Sequence, residues 1–450
     1  MSNGRLRAGD EQKRMWLFST HITPRLQYIV DFISKELFDE PIRITSHKEE
    51  FIRAGGPRIN YSDNVIAETD LFLQPHPLLF ESGIVVQEIE CFELNFHPAF
   101  FMTGGDFSFD VLAASFYLIS RYEEYLPHAT DEYGRYAHGG SLAYREGFLD
   151  LPLVNICLRE LKTALARKYP GLVFRYSSFK FIPTYDIDSA FSYLHKGWKR
   201  NLGGSLKAIA TGQWAAVKDR ISVLQGRRPD PFDAYEWLDS LHLYCRMRPY
   251  YFFLVAARRK GVDRNISPSV VALQQLIRYH AAGYRVGIHP SWQSGDSDVL
   301  LKAEVDWLEN MTGRAVTRSR QHYIRFSLPG TYRRLVEQGI EQDFSMGYGG
   351  INGFRASVAS SFYWYDLEKE EATRLRIFPF CFMDANAFYE QGYTPTQAMT
   401  ELLHYYHLVR RVNGLMVTIW HNSFLGSDPQ FAGWREVYEV FLKEEVYWDM

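Results

Sequence analysis

Near-continuous apolar runs that stop at chemically capable side chains constrain this chain more than any other feature. Five of them occupy its second half: "FIPTYDID" (181–188), "YRVGIHPSW" (284–292), "VTRSRQHYIRF" (316–326), "RIFPFCFMDAN" (376–386) and "LMVTIWHNS" (415–423). A sixth, "RPYYFFLVAA" (248–257), has no such ending. Helical patterns lie between them, among them "SPSVVALQQLIRYHAAG", where Gly283 is placed to end a helix before the next strand. Strand-length apolar runs alternating with helices predict buried parallel strands. Reactive groups gathered at their C-terminal ends predict a (β/α) barrel over 179–450 whose loops build a site.

The first run poses the sharpest question. In an extended chain alternate side chains share a face, so Thr184, Asp186 and Asp188 point one way and Tyr185 and Ile187 the other. Two acids about 7 Å apart repel unless a cation or a proton lies between them. A strand end frayed into water would also tolerate them, but the other run endings argue against that reading.

The first half has a different grammar. "STHITPRLQYIVDFISKELF" opens a helix with Thr23 as cap and Pro24 at the first position, and carries Leu26, Ile29, Val30 and Ile33 at helical spacing. Short mixed strands are expected from about 40 to 100. A second helix follows on the stripe Phe109, Leu112, Ala113 and Phe116, stopped by Pro127. The charges of "SRYEEYLP" near its end read as a solvated face. Residues 15–178 are therefore expected to form a smaller α/β accessory domain with no catalytic cluster. Residues 1–14 read as a polar, poorly ordered leader, with Met15 a more natural start.

At 450 residues the chain is long for one core, and 46% hydrophobic with 23% charged residues describes a globular protein. A net charge of −3 excludes a generally basic chain that coats nucleic acid. The 29 Tyr, 32 Phe and 10 Trp suit a carbohydrate partner, whose ring faces stack on aromatics, and equally a packed core. Four scattered cysteines without metal spacing read as reduced thiols. No signal-like or spanning apolar stretch occurs, so a cytoplasmic location is expected.

Together the run endings resemble the polysaccharide deacetylases, the NodB-like carbohydrate esterases built on a distorted, incomplete (β/α) barrel. The resemblance covers about 179–425. "TYDID" matches the first family motif, which implies Asp186 as general base and Asp188 as a metal ligand. "GIHPSWQ" falls at the metal-binding His-x-x-x-His, with His289 as the first histidine and Gln293 where the second should stand. "SRQHY" is similar to the Arg-x-Pro-Tyr segment, which makes Arg320 the residue that orients the base and puts His322 in the proline position. "IWH" matches the last motif and implies His421 as general acid. The aspartate that orients it has no clean match; Asp384 is chosen, with Asp343 as rival. His322 is the expected replacement for the missing ligand, so that Asp188, His289 and His322 hold one divalent ion, zinc being expected.

The implied reaction is removal of an N-acetyl group from a sugar or polysaccharide precursor. It needs an electrophile for the carbonyl, an activated water and a proton for the leaving amine, which a metal, a carboxylate and a histidine supply. Two alternatives stand beside it. One is an inactive barrel kept as a glycan-binding or scaffold protein; the other is an amidase of a non-sugar compound.

Four further features carry expectations. His404 and His407, at i,i+3 on a helix outside the barrel, read as surface or packing residues. The glycine-rich "DFSMGYGGINGFRA" lacks phosphate-loop spacing, and its Arg355 is a possible substrate contact. The insert 198–228 carries Trp214, Val217, Ile221 and Leu224 at helical spacing beside Lys218 and Arg220. It is expected to be a peripheral helix near the strand ends, a candidate lid or a contact with an anionic membrane.

Overall fold

The computed structural model describes residues 14–257 and 261–449. The expected leader lies outside the described residues except for Arg14. Trp16–Phe18 (β1), Arg43–Thr45 (β2), Arg58–Tyr61 (β3) and Leu71–Leu73 (β4) form a parallel sheet in the order β2-β1-β3-β4. A small antiparallel pair, Phe92–Leu94 (β5) and His97–Ala99 (β6), follows.

The first helix runs Pro24–Leu37, and Thr23 caps it by accepting from the Leu26 N–H. It buries Leu26, Ile29, Val30 and Ile33, the residues its spacing selects. The second helix is Val111–Ile119, where the Asp110 carboxylate accepts from the N–H groups of Leu112 and Ala113.

The second sheet has nine strands. They are Lys180–Ile187 (β7), Tyr250–Leu254 (β8), Arg285–His289 (β9), Arg318–Ser319 (β10), Gln342–Asp343 (β11), Phe362–Asp366 (β12), Glu371–Ile377 (β13), Phe382–Met383 (β14) and Leu415–His421 (β15). Their order is β12-β13-β11-β10-β9-β8-β7-β15-β14. Every pairing is parallel except β12–β13. The ladder is not a closed barrel: β12 and β14 are its edges. The chain itself spans the opening. Leaving β13, Phe378 donates its N–H to Asp343 O and Phe380 to Met346 O, before Cys381 donates to Val417 O beside β15.

The central strands β7, β8, β9 and β15 are buried along most of their length, β8 completely, as parallel strands covered by helices must be. One close approach sets the site's floor. Phe252 on β8 stands in register between Asp186 on β7 and Gly287 on β9. A Cβ on Gly287 would lie 2.6 Å from the Phe252 ring and 2.9 Å from Arg318 O, so only glycine fits there.

The two sheets share a contiguous set of buried apolar side chains. The first helix covers the β12–β13 hairpin: Tyr28 Oη donates to Tyr363 O at 2.6 Å, and Arg25 Nε to Glu370 Oε2 at 2.9 Å. Helix and hairpin thereby protect an edge that could otherwise pair with another chain.

Two expectations fail here. Arg121, Glu123 and Glu124 of "SRYEEYLP" are buried, not a solvated face. Arg121 Nε donates to Glu124 Oε1 at 2.7 Å, and Arg355 bonds both oxygens of Glu124, at 2.8 and 2.6 Å. Arg355 is therefore a tie between the chain's two halves and not a substrate contact. The cause is non-local: the glycine-rich loop folds over the helix end and removes water from its charges.

The insert forms two helices, Trp198–Ala210 and Trp214–Leu224. Among the four cysteines no disulfide forms, and Cys157, Cys245 and Cys381 are buried. Among the described residues no helix is long and apolar enough to cross a membrane.

Candidate active site

The run endings bring their polar groups to one cleft because parallel strands point their C-terminal ends the same way. Asp186 and His421 are register partners on adjacent strands β7 and β15. His289 ends β9, and Arg320 and His322 follow β10. The cleft encloses about 570 Å³ and is lined by Asp186, Asp188, His289 and His421 together with Tyr323, Tyr389 and Phe424.

Asp188, His289 and His322 offer ligand atoms that all lie within 4.8 Å of one another. Their tautomers follow from their other bonds. His289 Nδ1 lies 2.6 Å from the carbonyl of Arg320, which can only accept, so Nδ1 carries a proton and Nε2 a lone pair whenever the ring is neutral. His322 Nδ1 lies 2.9 Å from the Asp263 carboxylate, which fixes that ring in the same way when it is neutral. His289 Nε2 stands 3.0 Å from Asp188 Oδ1, and His322 Nε2 stands 3.5 Å from Asp188 Oδ2.

Asp188 Oδ1 is nevertheless buried without a hydrogen-bond donor. An oxygen facing a nitrogen lone pair at that distance is repulsive unless a cation or a proton sits between them. The donor set, one carboxylate and two imidazoles, suits zinc or a similar divalent ion. The residues present fit a metal.

The remaining groups flank this triad. Arg320 Nη1 donates to Asp186 Oδ1 at 2.8 Å, Nε donates to Phe344 O at 3.0 Å, and the guanidinium lies 4.6 Å over the Phe252 ring. Asp186 Oδ2 faces His289 Nε2 at 3.9 Å. His421 Nδ1 is 2.6 Å from Asp384 Oδ1, while the His421 N–H donates to Asp384 Oδ2 at 2.7 Å. His421 Nε2 points to Asp188 Oδ2 at 3.6 Å.

Burial opposes a charge on His421, but Asp384 foremost, then Asp188 and Asp186, outweighs it and lifts the pKa to about 10. Burial would likewise raise Asp188, yet His322, His289 and His421 hold it well below the usual carboxylate range.

Asp343 is not the partner of His421. Its carboxylate accepts from the Ser319 and Ser345 hydroxyls at 2.8 and 2.9 Å, beneath the strand ends. His404 lies on the outer helix, 3.0 Å from Asp150. The insert helices contribute no lining residue to the cleft among the described residues.

Sequence reasoning missed two contributions. Asp263 reaches the site from the loop after β8, the apolar run without a polar ending; the "VDRN" at 262–265 is the available signal. Glu132, Tyr133 and Arg135, from the first half of the chain, also line the cleft. Arg135 Nη1 donates to Tyr323 O at 2.9 Å, and the Tyr133 and Tyr323 rings lie 5.4 Å apart. No pattern within the sequence pointed to them.

A family of unknown function, DUF7033, matches residues 15–170. No curated protein matches the chain. Among solved structures, the chain is similar to a polysaccharide deacetylase of Bacillus cereus at 12% identity, over 60% of this chain and 89% of that one, with a TM-score of 0.29. A protein assigned as a polysaccharide deacetylase from Mycobacterium smegmatis matches at 13% identity, over 60% and 85%, with a TM-score of 0.38. A third, from Pseudomonas aeruginosa, matches at 10%, over 60% and 85%, with a TM-score of 0.37.

Proposed function

We propose that this chain is a metal-dependent hydrolase that removes an N-acetyl group from a sugar or polysaccharide precursor. The observation that carries the reading is the buried Asp188 Oδ1, without a donor and 3.0 Å from His289 Nε2. It suits a ligand set for a cation, with a proposed base and acid beside it. A protein that only bound glycans would have no use for that arrangement.

Asp188, His289 and His322 would hold the ion. Bound there, a divalent metal would polarise the amide carbonyl and make a water acidic. Asp186 takes a proton from the attacking water through Oδ2, while Arg320 fixes its other oxygen. His421 carries a proton on Nε2, kept there by Asp384, and delivers it to the leaving nitrogen as the C–N bond breaks. Acetate and a free amine result, and solvent returns Asp186 and His421 to their starting states. The rings of Tyr133, Tyr323, Tyr389 and Phe424 in the cleft favour a sugar, whose apolar face stacks on aromatics.

Metal content and acetate release test the proposal together. Protein equilibrated with zinc and desalted should retain one ion per chain and release acetate from an N-acetylglucosamine oligomer. Asp188→Ala should lose both. A wild-type chain that retains no more zinc than Asp188→Ala would end the metal-dependent reading.

A further inference from the structure

The insert between β7 and β8 departs from the usual design of a surface helix, which hides its apolar stripe. Ala208 is the only buried residue of Trp198–Ala210, and Val223 the only one of Trp214–Leu224. Trp198, Leu202, Leu206 and Ile209 fall within an arc of about 80° at 100° per residue, and all four are exposed. In the second helix Trp214, Ile221 and Leu224 make a similar exposed stripe. Trp198 is 71% exposed and Trp214 63%. Contiguous exposed apolar surface of this kind marks a contact surface.

Charge identifies the partner. Within 196–228 there are eight basic residues against one acidic, Asp219, in a chain whose net charge is −3. The two helices pack together through Arg220, whose Nη1 donates to Ser205 Oγ at 3.2 Å and whose guanidinium lies 4.7 Å over the Tyr193 ring. Lys199, Lys207, Lys218 and Arg227 are exposed around the stripes. Tryptophans and leucines ringed by long basic side chains are the composition of a helix lying in a bilayer interface, with rings among the acyl chains and ammonium groups at the phosphates.

The hairpin is anchored beside the cleft. The Asp230 carboxylate accepts from the N–H groups of Ser192, Tyr193 and Leu194 at 2.6, 2.8 and 2.9 Å, which ties the hairpin's two ends together. Next to it, Ser427 donates its N–H to Pro231 O at 2.8 Å, joining the hairpin's base to the end of the short helix Asn422–Leu425, which carries the cleft residues Ser423 and Phe424.

We propose that the helical hairpin 198–224 docks on an anionic lipid bilayer and sets the rim of the cleft at its surface. The surface does not depend on what the cleft does, and its test needs no turnover.

Full-length protein is sedimented with vesicles of phosphatidylcholine containing phosphatidylglycerol, and with vesicles of phosphatidylcholine alone. Binding to the anionic vesicles should be at least about tenfold stronger. Trp198→Ser with Trp214→Ser should weaken it by at least about tenfold, with the circular dichroism spectrum unchanged. Lys199→Glu with Lys207→Glu and Lys218→Glu should abolish the preference for anionic lipid. Equal recovery on both vesicle types would overturn the proposal. So would full binding by the double tryptophan variant, which would mark the hairpin as a site for a soluble polyanion. A dimer in solution that the same variant dissolves would overturn it too, because the stripes would then cover each other.

Discussion

Arg320 and Arg355 are both fully buried and both bonded to carboxylates, yet their surroundings differ in one respect. Around Arg355 the charged groups are satisfied. Its Nε and Nη2 take both oxygens of Glu124, its Nη1 donates to Gly347 O, and Arg121 bridges Glu124 and Glu123. Around Arg320 they are not. Arg320 Nη2, Asp188 Oδ1 and Asp263 Oδ2 are buried without a partner. Burying charge is costly unless every group finds a partner. A cluster that joins two parts of a chain closes on itself, whereas the Arg320 cluster leaves valences that suit the proposed metal and substrate.

The comparison can be broken most decisively at Asp186. Asp186→Asn should lower hydrolysis by about 10²–10⁴-fold, the contribution of a general base, with zinc content and thermal midpoint preserved. Unchanged turnover would remove Asp186 from the open cluster.

At the closed cluster the expected effect falls on stability instead. Arg355→Met leaves the Glu124 carboxylate buried with fewer donors and should cost about 3–5 kcal/mol in urea unfolding, with kcat of the folded protein unaltered. A loss near zero would mean that water enters the junction.

The same cluster sets a pH signature. Burial would raise Glu124, but Arg355 and Arg121 overrule it and hold the carboxyl down to about 2, against an ordinary 4.5. A depressed carboxyl stabilises the fold above its unfolded pKa and loses that contribution as pH falls through the folded value. The contribution is about 3 kcal/mol above pH 4.5. The stability gap between wild type and Glu124→Gln should therefore narrow between pH 4.5 and 2, and a gap that stays constant would contradict the assignment.

The smallest effect sharpens the comparison from the open side. Asp263→Asn should weaken zinc binding by about 10–100-fold, or about 1.4–2.7 kcal/mol, through the loss of His322 orientation. Metal-free stability should scarcely change. Unaltered zinc affinity would show that His322 is held by packing alone.

The open cluster was the more legible in sequence. Asp186, Asp188, His289, Arg320, His322 and His421 all stand at or just past the ends of apolar runs, where strand direction alone determines which face of the sheet they reach. Asp384 was readable for the same reason. Asp263 was not, because it stands well past the end of β8, and a loop's path does not follow from its composition. The Arg121–Glu124–Arg355 cluster was misread because its bond spans 231 positions. Local spacing says which charges can meet on one helix, not which loop will cover them. The open sheet agrees with the incomplete barrel that the resemblance implies, although apolar runs alone count strands without revealing whether the first and last pair.

The position of β15 has a consequence for how the molecule is made. It lies between β7 and β14, and Thr184 Oγ1 on β7 donates to Thr418 O across 234 positions. During synthesis β8, β9, β10 and β11 can assemble on one flank of β7 while the other flank stays bare. Such late, long-range pairing is intrinsically slow, and an unpaired hydrophobic edge is adhesive while it waits. A ribosome that has not yet released residue 421 therefore carries a chain with its Asp186 in place and no His421 beside it. The nascent protein passes through a stage that lacks the proposed proton donor and exposes a bare strand edge, and both conditions end with the docking of one seven-residue strand.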